Sequence, residues 1–232
     1  MDREYIKIKK PPPFSIDRNV LKTLDDDFWK NWIFYHLLSF YKNYDSVELK
    51  QKIEKEKIKP NPRLERKIAY FIRKKLNDDI SFSNDFYAFG ENSNDEEIEG
   101  YYDITIHSTN WKSKHFHFEC KNLSENQDLI NKYVYYKRNK IFDGGIYRYF
   151  NGKYAQNQDF GGMIGFVLEG DFMKVKSKIH KKLQEKFDTT PDGDLTGFVD
   201  NSIENNGFTF DSYHTRNNSE FVVHHLLFDI CQ

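Results

Sequence analysis

Cysteine is scarce in this sequence, which contains only Cys120 and Cys231 among its 232 residues. Two thiols cannot form a disulfide framework or a zinc site built from several thiolates. Cys120 lies inside a segment with the pattern of a β-strand. We therefore expect both cysteines to be reduced, as is usual for proteins of the cytoplasm.

Long apolar runs are also missing. No segment approaches the roughly 20 consecutive apolar residues that a membrane-spanning helix needs. The first ten residues, MDREYIKIKK, lack the apolar core of a signal peptide. The sequence predicts a cytoplasmic protein without a membrane partner.

Neither sign of charge is in large excess, because 35 lysines and arginines face 36 aspartates and glutamates. A polyanionic partner is therefore not indicated by overall charge and must be sought in local basic clusters. A glycine-rich phosphate-binding loop is missing too, which argues against an enzyme that acts on a nucleotide or another small phosphorylated substrate.

Helical and strand-like patterns alternate along the chain. Helices are predicted in the segments DDDFWKNWIFYHLLSFYKN, DSVELKQKIEKEKI, NPRLERKIAYFIRKKL, SENQDLINKYVYYKRN and DFMKVKSKIHKKLQEKF. Strands are predicted near ISFSNDFYAF, in two alternating runs after the acidic loop GENSNDEEIEG, in GGMIGFVLEG, and in a final hairpin that turns near Asn217 and Asn218. This order predicts a mixed central sheet flanked by helices, an α/β or α+β fold. We expect residues 1–60 to form an N-terminal helical extension and residues 61–232 to form the main domain with a C-terminal β-hairpin.

The segment GYYDITIHSTNWKSKHFHFECKNL holds the two alternating runs. Its period of two predicts a pair of strands joined by a polar loop. The first run places Asp103 and His107 on one face, and the second places His117, Glu119 and Lys121 on one face. The apolar positions of the first run are Tyr102, Ile104 and Ile106. If the hairpin forms, two carboxylates and an ammonium group lie side by side on one face of the sheet.

These three polar side chains suit phosphodiester hydrolysis. Asp103 and Glu119 offer hard oxygen ligands, which Mg²⁺ and Mn²⁺ prefer. Alternation holds Lys121 on the same face as Glu119, about 7 Å farther along the strand. A metal ion can activate water for attack on phosphorus, and the lysine can orient that water or neutralise charge on the phosphate oxygens.

Asp103 followed by Glu119-Cys120-Lys121, on consecutive strands after a helix that carries Glu65, resembles the PD-(D/E)XK nuclease superfamily. That superfamily has the restriction-endonuclease-like fold, a helix followed by three antiparallel strands, a helix and a further strand. The predicted elements from residues 62 to 169 resemble this order. Tyrosine stands before Asp103, where many members have proline.

The resemblance implies a role for each of these residues. Asp103 and Glu119 would bind Mg²⁺ or Mn²⁺ together with the backbone carbonyl group of Cys120. Lys121 would be the catalytic lysine, and Glu65 would be the helix acid that holds a water molecule at the metal.

Two other interpretations of the hairpin stay open. The run HFHFE places His115, His117 and Glu119 on one face, where they could hold Zn²⁺ in a jelly-roll enzyme. That fold needs many short strands and few helices, and this sequence predicts long helices. Alternatively, the hairpin faces solvent, and Glu119 and Lys121 form a weak surface pair worth ~0–1 kcal/mol.

Basic residues cluster in two segments that we predict to contact nucleic acid. Lys174, Lys178 and Lys181 lie on the outer side of the amphipathic helix in DFMKVKSKIHKKLQEKF, where lysines can displace counterions from phosphates. Arg148 and Lys153 are interleaved with tyrosines in GGIYRYFNGKYA, a composition that suits contacts with backbone or bases. A solvated helix face and a tyrosine-rich packing segment are the structural alternatives.

The sequence therefore predicts a nuclease that depends on a divalent metal and hydrolyses phosphodiester bonds in DNA, of the kind found among restriction and phage-defence effectors. The alternative is a non-catalytic nucleic-acid-binding or adaptor subunit that kept the nuclease fold. No separate sequence-reading module is evident in the sequence, so we expect selectivity to come from DNA structure, from a partner or from regulated activation. A protein partner subunit and a homo-oligomer are the expected assemblies.

Overall fold

The computed structural model describes residues 18–90, 93–95, 98–111, 115–138, 141–185 and 192–230. The first ten residues, MDREYIKIKK, and Cys231 lie outside these residues. The helices are α1 (Arg18–Leu21), α2 (Asp26–Asn43), α3 (Ser46–Lys57), α4 (Leu64–Asp78), α5 (Ile80–Ser83), α6 (Gln127–Tyr133) and α7 (Phe172–Leu183), with a 3₁₀ turn at Ile146–Tyr149. The strands are β1 (Tyr87–Phe89), β2 (Ser93–Asp95), β3 (Ile98–Tyr101), β4 (Ile104–His107), β5 (His115–Leu123), β6 (Tyr136–Arg138), β7 (Ile141–Asp143), β8 (Phe160–Val167), β9 (Leu195–Asp200), β10 (Thr209–Arg216) and β11 (Ser219–Asp229).

The described strands form one seven-stranded mixed sheet and two small hairpins. The order in the large sheet is β1-β4-β5-β8-β11-β10-β9, and the hairpins are β2-β3 and β6-β7. β1, β4 and β5 pair antiparallel, and β8 pairs parallel with both β5 and β11. β11, β10 and β9 are again antiparallel. The predicted mixed sheet flanked by helices is confirmed.

Two hydrophobic clusters cover the two faces of the sheet, because successive residues of a strand point to opposite faces. On β11, Leu226 belongs to the cluster that contains the buried residues of α2 and α4. The next residue, Leu227, belongs to the cluster with α6 and α7. The central strands are thus buried on both faces. The predicted boundary between residues 1–60 and the rest stays a prediction.

Helix α2 begins as the sequence predicts. Asp25 is its N-cap and accepts a hydrogen bond from the backbone N–H of Phe28 at 2.9 Å. Asp26 lies in the first turn and accepts a hydrogen bond from Trp111 Nε1 at 2.8 Å. Trp111 belongs to the connection between β4 and β5, so this bond ties α2 to that connection. No helix among the described residues is long and apolar enough to cross a membrane.

Several predicted elements differ from the structure. The predicted strand at ISFSNDFYAF is short, because Asp79 caps helix α5 and only Tyr87–Phe89 pairs with β4. The predicted helix after β5 ends at Tyr133, and its aromatic continuation forms β6. The segment predicted as an acidic loop contributes the hairpin β2-β3. Strand β9 was not predicted.

A chain of hydrogen bonds crosses the buried interface of β10 and β11. His214 Nδ1 lies 2.7 Å from the carbonyl oxygen of Gly193, which only accepts, so Nδ1 carries the proton. Ser212 Oγ must then donate to His214 Nε2 at 2.8 Å and accept from His225 Nε2 at 2.8 Å. Tyr133 completes the chain by donating to His225 Nδ1 at 2.9 Å. Both imidazoles are therefore neutral in this arrangement.

We expect the protein to lose stability as pH falls from about 6.5 to about 4. Burial lowers the pKa of His36 and that of His214 from 6.5 to about 4 and lowers that of His225 well below 6.5. In this window the unfolded chain binds more protons than the folded chain, so acid favours unfolding. Protonation of Asp103 stabilises the folded protein as pH falls, because burial and then Glu119 raise the pKa of this carboxyl group to about 7. This single group opposes the three histidines. Urea unfolding at pH 7.5 and pH 5 tests this prediction, and an equal or higher midpoint at pH 5 would contradict it.

Candidate active site

The hairpin of β4 and β5 brings Asp103 beside Glu119. Ile104 pairs with Phe118, so the same register places Asp103 opposite Glu119. Regular pairing ends there: Asp103 Oδ2 accepts a hydrogen bond from the backbone N–H of Cys120 at 2.7 Å. The sequence predicts Tyr102 on the same face as Ile104, which is wrong: Tyr102 stacks on His117 with 4.0 Å between the ring centroids. A bend at Asp103 thus turns Tyr102 away from the face of Ile104.

Lys121 gathers oxygen atoms from three residues. Its Nζ lies 2.5 Å from Glu119 Oε1, 3.0 Å from Glu65 Oε1 and 2.8 Å from the carbonyl oxygen of Cys120. Glu65 is in the first turn of α4, and its Oε2 accepts from the backbone N–H of Asn122 at 3.3 Å. The structure therefore brings together the four residues that the sequence predicts for the catalytic centre, Asp103, Glu119, Lys121 and Glu65.

Glu119 has further partners from the segment around the 3₁₀ turn. Arg148 Nη1 donates to Glu119 Oε1 at 2.9 Å, and the Tyr154 hydroxyl group donates to Glu119 Oε2 at 2.9 Å. Arg148 Nε donates to Asp143 Oδ1 at 3.0 Å. The sequence predicts Arg148 as a substrate contact but does not reveal its bond to Glu119. Tyr154 and Asp143 were missed as site residues, because no spacing pattern links them to Glu119.

Negative charge exceeds positive charge in this cluster. Four carboxyl groups, those of Glu65, Asp103, Glu119 and Asp143, face three cations, Lys121, Arg148 and Lys153. Burial and then the Glu119 carboxylate raise the pKa of Asp103 to about 7, with a smaller contribution from Glu65. Burial alone would lower the pKa of Lys121, but Glu119, Glu65 and Asp103 outweigh it and raise that pKa. The lysine is therefore an ammonium ion.

The backbone at Asp103 is held by Arg73 of α4, whose Nη1 donates to the Asp103 carbonyl oxygen. Gly90 leaves the space for this bond. A Cβ atom at position 90 would lie 2.6 Å from the Asp103 carbonyl oxygen and would also collide with the Arg73 guanidinium group.

We expect Gly90→Ala to displace the Asp103 carbonyl group and thereby to weaken Mn²⁺ binding by about tenfold, as loss of supporting groups around metal ligands typically does. Gly152→Ala is the comparison, because no atom lies within 4 Å of a Cβ at that position, although its φ of +80° makes it strained. Calorimetric titration of both variants with Mn²⁺ measures the effect. Equal affinity of Gly90→Ala and the wild-type protein would contradict it.

The donor atoms are of the type that hard divalent cations prefer, but no three side chains of His, Cys, Asp and Glu among the described residues are grouped as a metal site. The predicted ligand set needs only two carboxylates, Asp103 and Glu119, and the carbonyl oxygen of Cys120. The Lys121 ammonium group already touches two of these three residues. The Cys120 thiol is buried, and burial raises its pKa well above 9.0, so it is not a thiolate ligand.

The histidines of the hairpin are paired with other groups. His107 Nδ1 lies 3.0 Å from His115 Nδ1, and His117 Nδ1 lies 3.0 Å from Thr105 Oγ1. The seven-stranded sheet carries helices on both faces. Neither feature favours the zinc interpretation or a jelly roll.

The other residues that the sequence predicts to contact nucleic acid lie on α7 and on the segment that follows the 3₁₀ turn. Lys178 Nζ donates to the carbonyl oxygen of Glu125 at 2.5 Å, which places α7 beside the end of β5. Lys174 and Lys181 are exposed on the same helix. Lys153 Nζ lies 4.0 Å from Asp143 Oδ1. Their contact with a substrate stays a prediction.

Neither protein-family models, nor curated proteins, nor solved structures match this chain. A functional conclusion therefore depends on the chemistry of the site.

Proposed function

We propose that the protein is a nuclease that depends on Mg²⁺ or Mn²⁺ and hydrolyses phosphodiester bonds in DNA. The observation that carries this proposal is the convergence of Glu119, Glu65 and the Cys120 carbonyl oxygen on Lys121, with the Asp103 carboxyl group bonded to the intervening backbone N–H. Hard oxygen donors beside a charged lysine are the groups that metal-assisted phosphodiester hydrolysis requires.

The order of elements around the site supports the proposal. Helix α4, the antiparallel strands β1, β4 and β5, helix α6 and then β8, parallel to β5, follow one another along the chain. This is the arrangement expected of the PD-(D/E)XK superfamily. We therefore include a restriction-endonuclease-like fold in the proposal.

Each residue has a defined task in this mechanism. Asp103, Glu119 and the Cys120 carbonyl group would hold the divalent metal, which would supply a Lewis acid for the phosphate and for a water molecule. Lys121 donates hydrogen bonds to the attacking water or to the non-bridging phosphate oxygens and stabilises the charge that develops there. Glu65 holds the Lys121 ammonium group in place from the opposite element, helix α4.

The number of charges also favours a metal cation. The four carboxyl groups and three cations of the cluster leave one negative charge when Asp103 is ionised. A metal cation offsets this excess, and buried charges are stable only when they are paired.

Cleavage of plasmid DNA with Mg²⁺, with Mn²⁺ and with a chelator tests the proposed activity. Calorimetric titration of the wild-type protein and Glu119→Gln with Mn²⁺ tests the site. We expect metal-dependent cleavage, and we expect Glu119→Gln to abolish Mn²⁺ binding. Cleavage that persists in the chelator, or Mn²⁺ binding by Glu119→Gln that is as tight as that of a wild-type protein that binds Mn²⁺, would refute the proposal.

The non-catalytic alternative has one observation in its favour, because Lys121, Arg148 and Tyr154 satisfy both Glu119 oxygens without a metal. If this alternative holds, the protein will bind DNA but will not cleave it with either Mg²⁺ or Mn²⁺. A nucleic-acid-binding or adaptor subunit would then be the function.

A further inference from the structure

Arg148 occupies the outer side of the Glu119 carboxylate. The Glu119 side chain is 2% exposed, whereas that of Arg148 is 28% exposed. Glu119 Oε1 accepts from both Lys121 and Arg148, at 2.5 and 2.9 Å. Two cations on one oxygen atom leave it little capacity to bind a third cation, because close like charges repel.

Two anchors hold Arg148 in this position. Its Nε donates to Asp143, and its Nη1 also donates to the Tyr154 hydroxyl group at 3.1 Å. The guanidinium carbon lies 5.8 Å from the centre of the Tyr154 ring. In the described part of the chain Nη2 donates to no acceptor, so this amino group of the guanidinium has no partner there.

We infer that Arg148 stands in for the divalent metal at Glu119, must release this carboxylate when the metal binds, and then contacts the phosphate next to the scissile bond. This inference rests on the proposed nuclease function. It extends the predicted role of Arg148 from a general substrate contact to a competitor of the metal. The Asp143 bond through Nε allows Nη1 and Nη2 to turn toward a phosphate, whose oxygen atoms match the two arms of a guanidinium group.

Removal of Arg148 should therefore have two opposite effects. Mn²⁺ affinity should rise, because Glu119 loses a competing cation and the incoming metal loses a repelling charge. Affinity for DNA in the presence of metal should fall, because the phosphate loses a partner. If Arg148 merely held Glu119 in position, its removal would weaken both the affinity for Mn²⁺ and the affinity for DNA.

Calorimetric titration with Mn²⁺ tests the first effect on Arg148→Gln, Arg148→Lys and the control Lys153→Gln. Lys153 carries the same charge on the same segment and approaches Asp143 rather than Glu119. We expect Arg148→Gln to bind Mn²⁺ about tenfold more tightly, the lower end of the coupling between close charges. The Mn²⁺ affinity of Arg148→Lys should lie between those of Arg148→Gln and the wild-type protein. The Mn²⁺ affinity of Lys153→Gln should stay within about twofold of the wild-type value.

Steady-state cleavage tests the second effect, since Arg148→Gln should raise the KM for DNA at saturating Mn²⁺, and Arg148→Lys should restore part of the affinity. Unchanged or weaker Mn²⁺ binding by Arg148→Gln would overturn the inference while leaving the metal site of the wild-type protein intact. Failure of both the wild-type protein and Arg148→Gln to bind Mn²⁺ would instead overturn the proposed function. Mn²⁺ binding by Arg148→Gln alone would support the inference.

Discussion

Asp103→Asn is expected to lower DNA cleavage by about 10²–10³-fold or more, the size of effect seen when one group that stabilises developing charge is removed. The amide retains an oxygen atom for the backbone N–H of Cys120, so the local fold is preserved. It lacks the negative charge that holds a divalent cation. Cleavage of plasmid DNA in Mg²⁺ and in Mn²⁺ measures the loss.

The same substitution should leave stability unchanged or raise it at pH 8. Burial and the charge of Glu119 raise the pKa of Asp103 to about 7, so the folded protein favours the neutral carboxyl group, which asparagine resembles. The stability gap between the variant and the wild-type protein should narrow as pH falls from 7 toward 4, because Asp103 becomes protonated and neutral in the folded protein over this range while it stays ionised in the unfolded chain.

Lys121→Ala provides the contrast to Asp103→Asn. It should also abolish cleavage, and it removes the cation that Glu119 and Glu65 share. Because Arg148 still pairs with Glu119, we expect the free energy of unfolding to fall by about 1–3 kcal/mol. Wild-type activity in Asp103→Asn, with either metal supplied, would eliminate the proposed mechanism. A marked loss of stability in Asp103→Asn would contradict the electrostatic account of the site.

Phe34→Ala is expected to lower the free energy of unfolding of the whole protein by about 3–5 kcal/mol, as truncation of buried aromatic residues does. Phe34 belongs to α2 and lies 5.2 Å from Phe116 and 6.4 Å from Phe118, between ring centroids. It thereby joins the N-terminal helices to β5, the strand that carries Glu119 and Lys121. Urea denaturation followed by far-UV circular dichroism and by tryptophan fluorescence measures the loss.

Tyr35→Ala is the matched control, since Tyr35 is the next residue and is 39% exposed. It should change stability by less than about 1 kcal/mol. Coincident transitions by the two probes would show that α2 and the sheet unfold together. Two separate transitions, with only the first shifted by Phe34→Ala, would mean that the N-terminal helices are an independent extension.

The polar face of the hairpin could be predicted from the sequence because alternation is a local property. Glu119 and Lys121 share a face by spacing alone, and the proximity of Asp103 needs only a hairpin of the right register. Helix α2 was predictable for a similar reason, since its N-cap Asp25 and its buried apolar residues, such as Trp29, Ile33 and Leu37, lie within one continuous segment.

The remaining parts of the site depend on contacts between distant segments. Arg148 and Tyr154 reach Glu119 from a connection whose path is set by packing of the 3₁₀ turn against β8, as in the hydrogen bond from Tyr149 to the carbonyl oxygen of Gly162 at 2.8 Å. No periodic pattern in the sequence encodes that path. Strand β9 was missed because its burial is incomplete, which weakens the apolar alternation that reveals a strand.

The parallel pairing of β8 with β11 has a consequence for biosynthesis. Val222 pairs with Phe160, and Glu119 pairs with Met163 on the other side of β8. All the side chains of the candidate site, from Glu65 to Tyr154, leave the ribosome before β11 does. The nascent chain therefore carries a complete set of site residues while β8 still exposes an open edge, and such edges bind other chains. Ribosome-bound chains that stop before β11 should thus be sensitive to proteases and dependent on chaperones, and the folded site should form only after β11 is released.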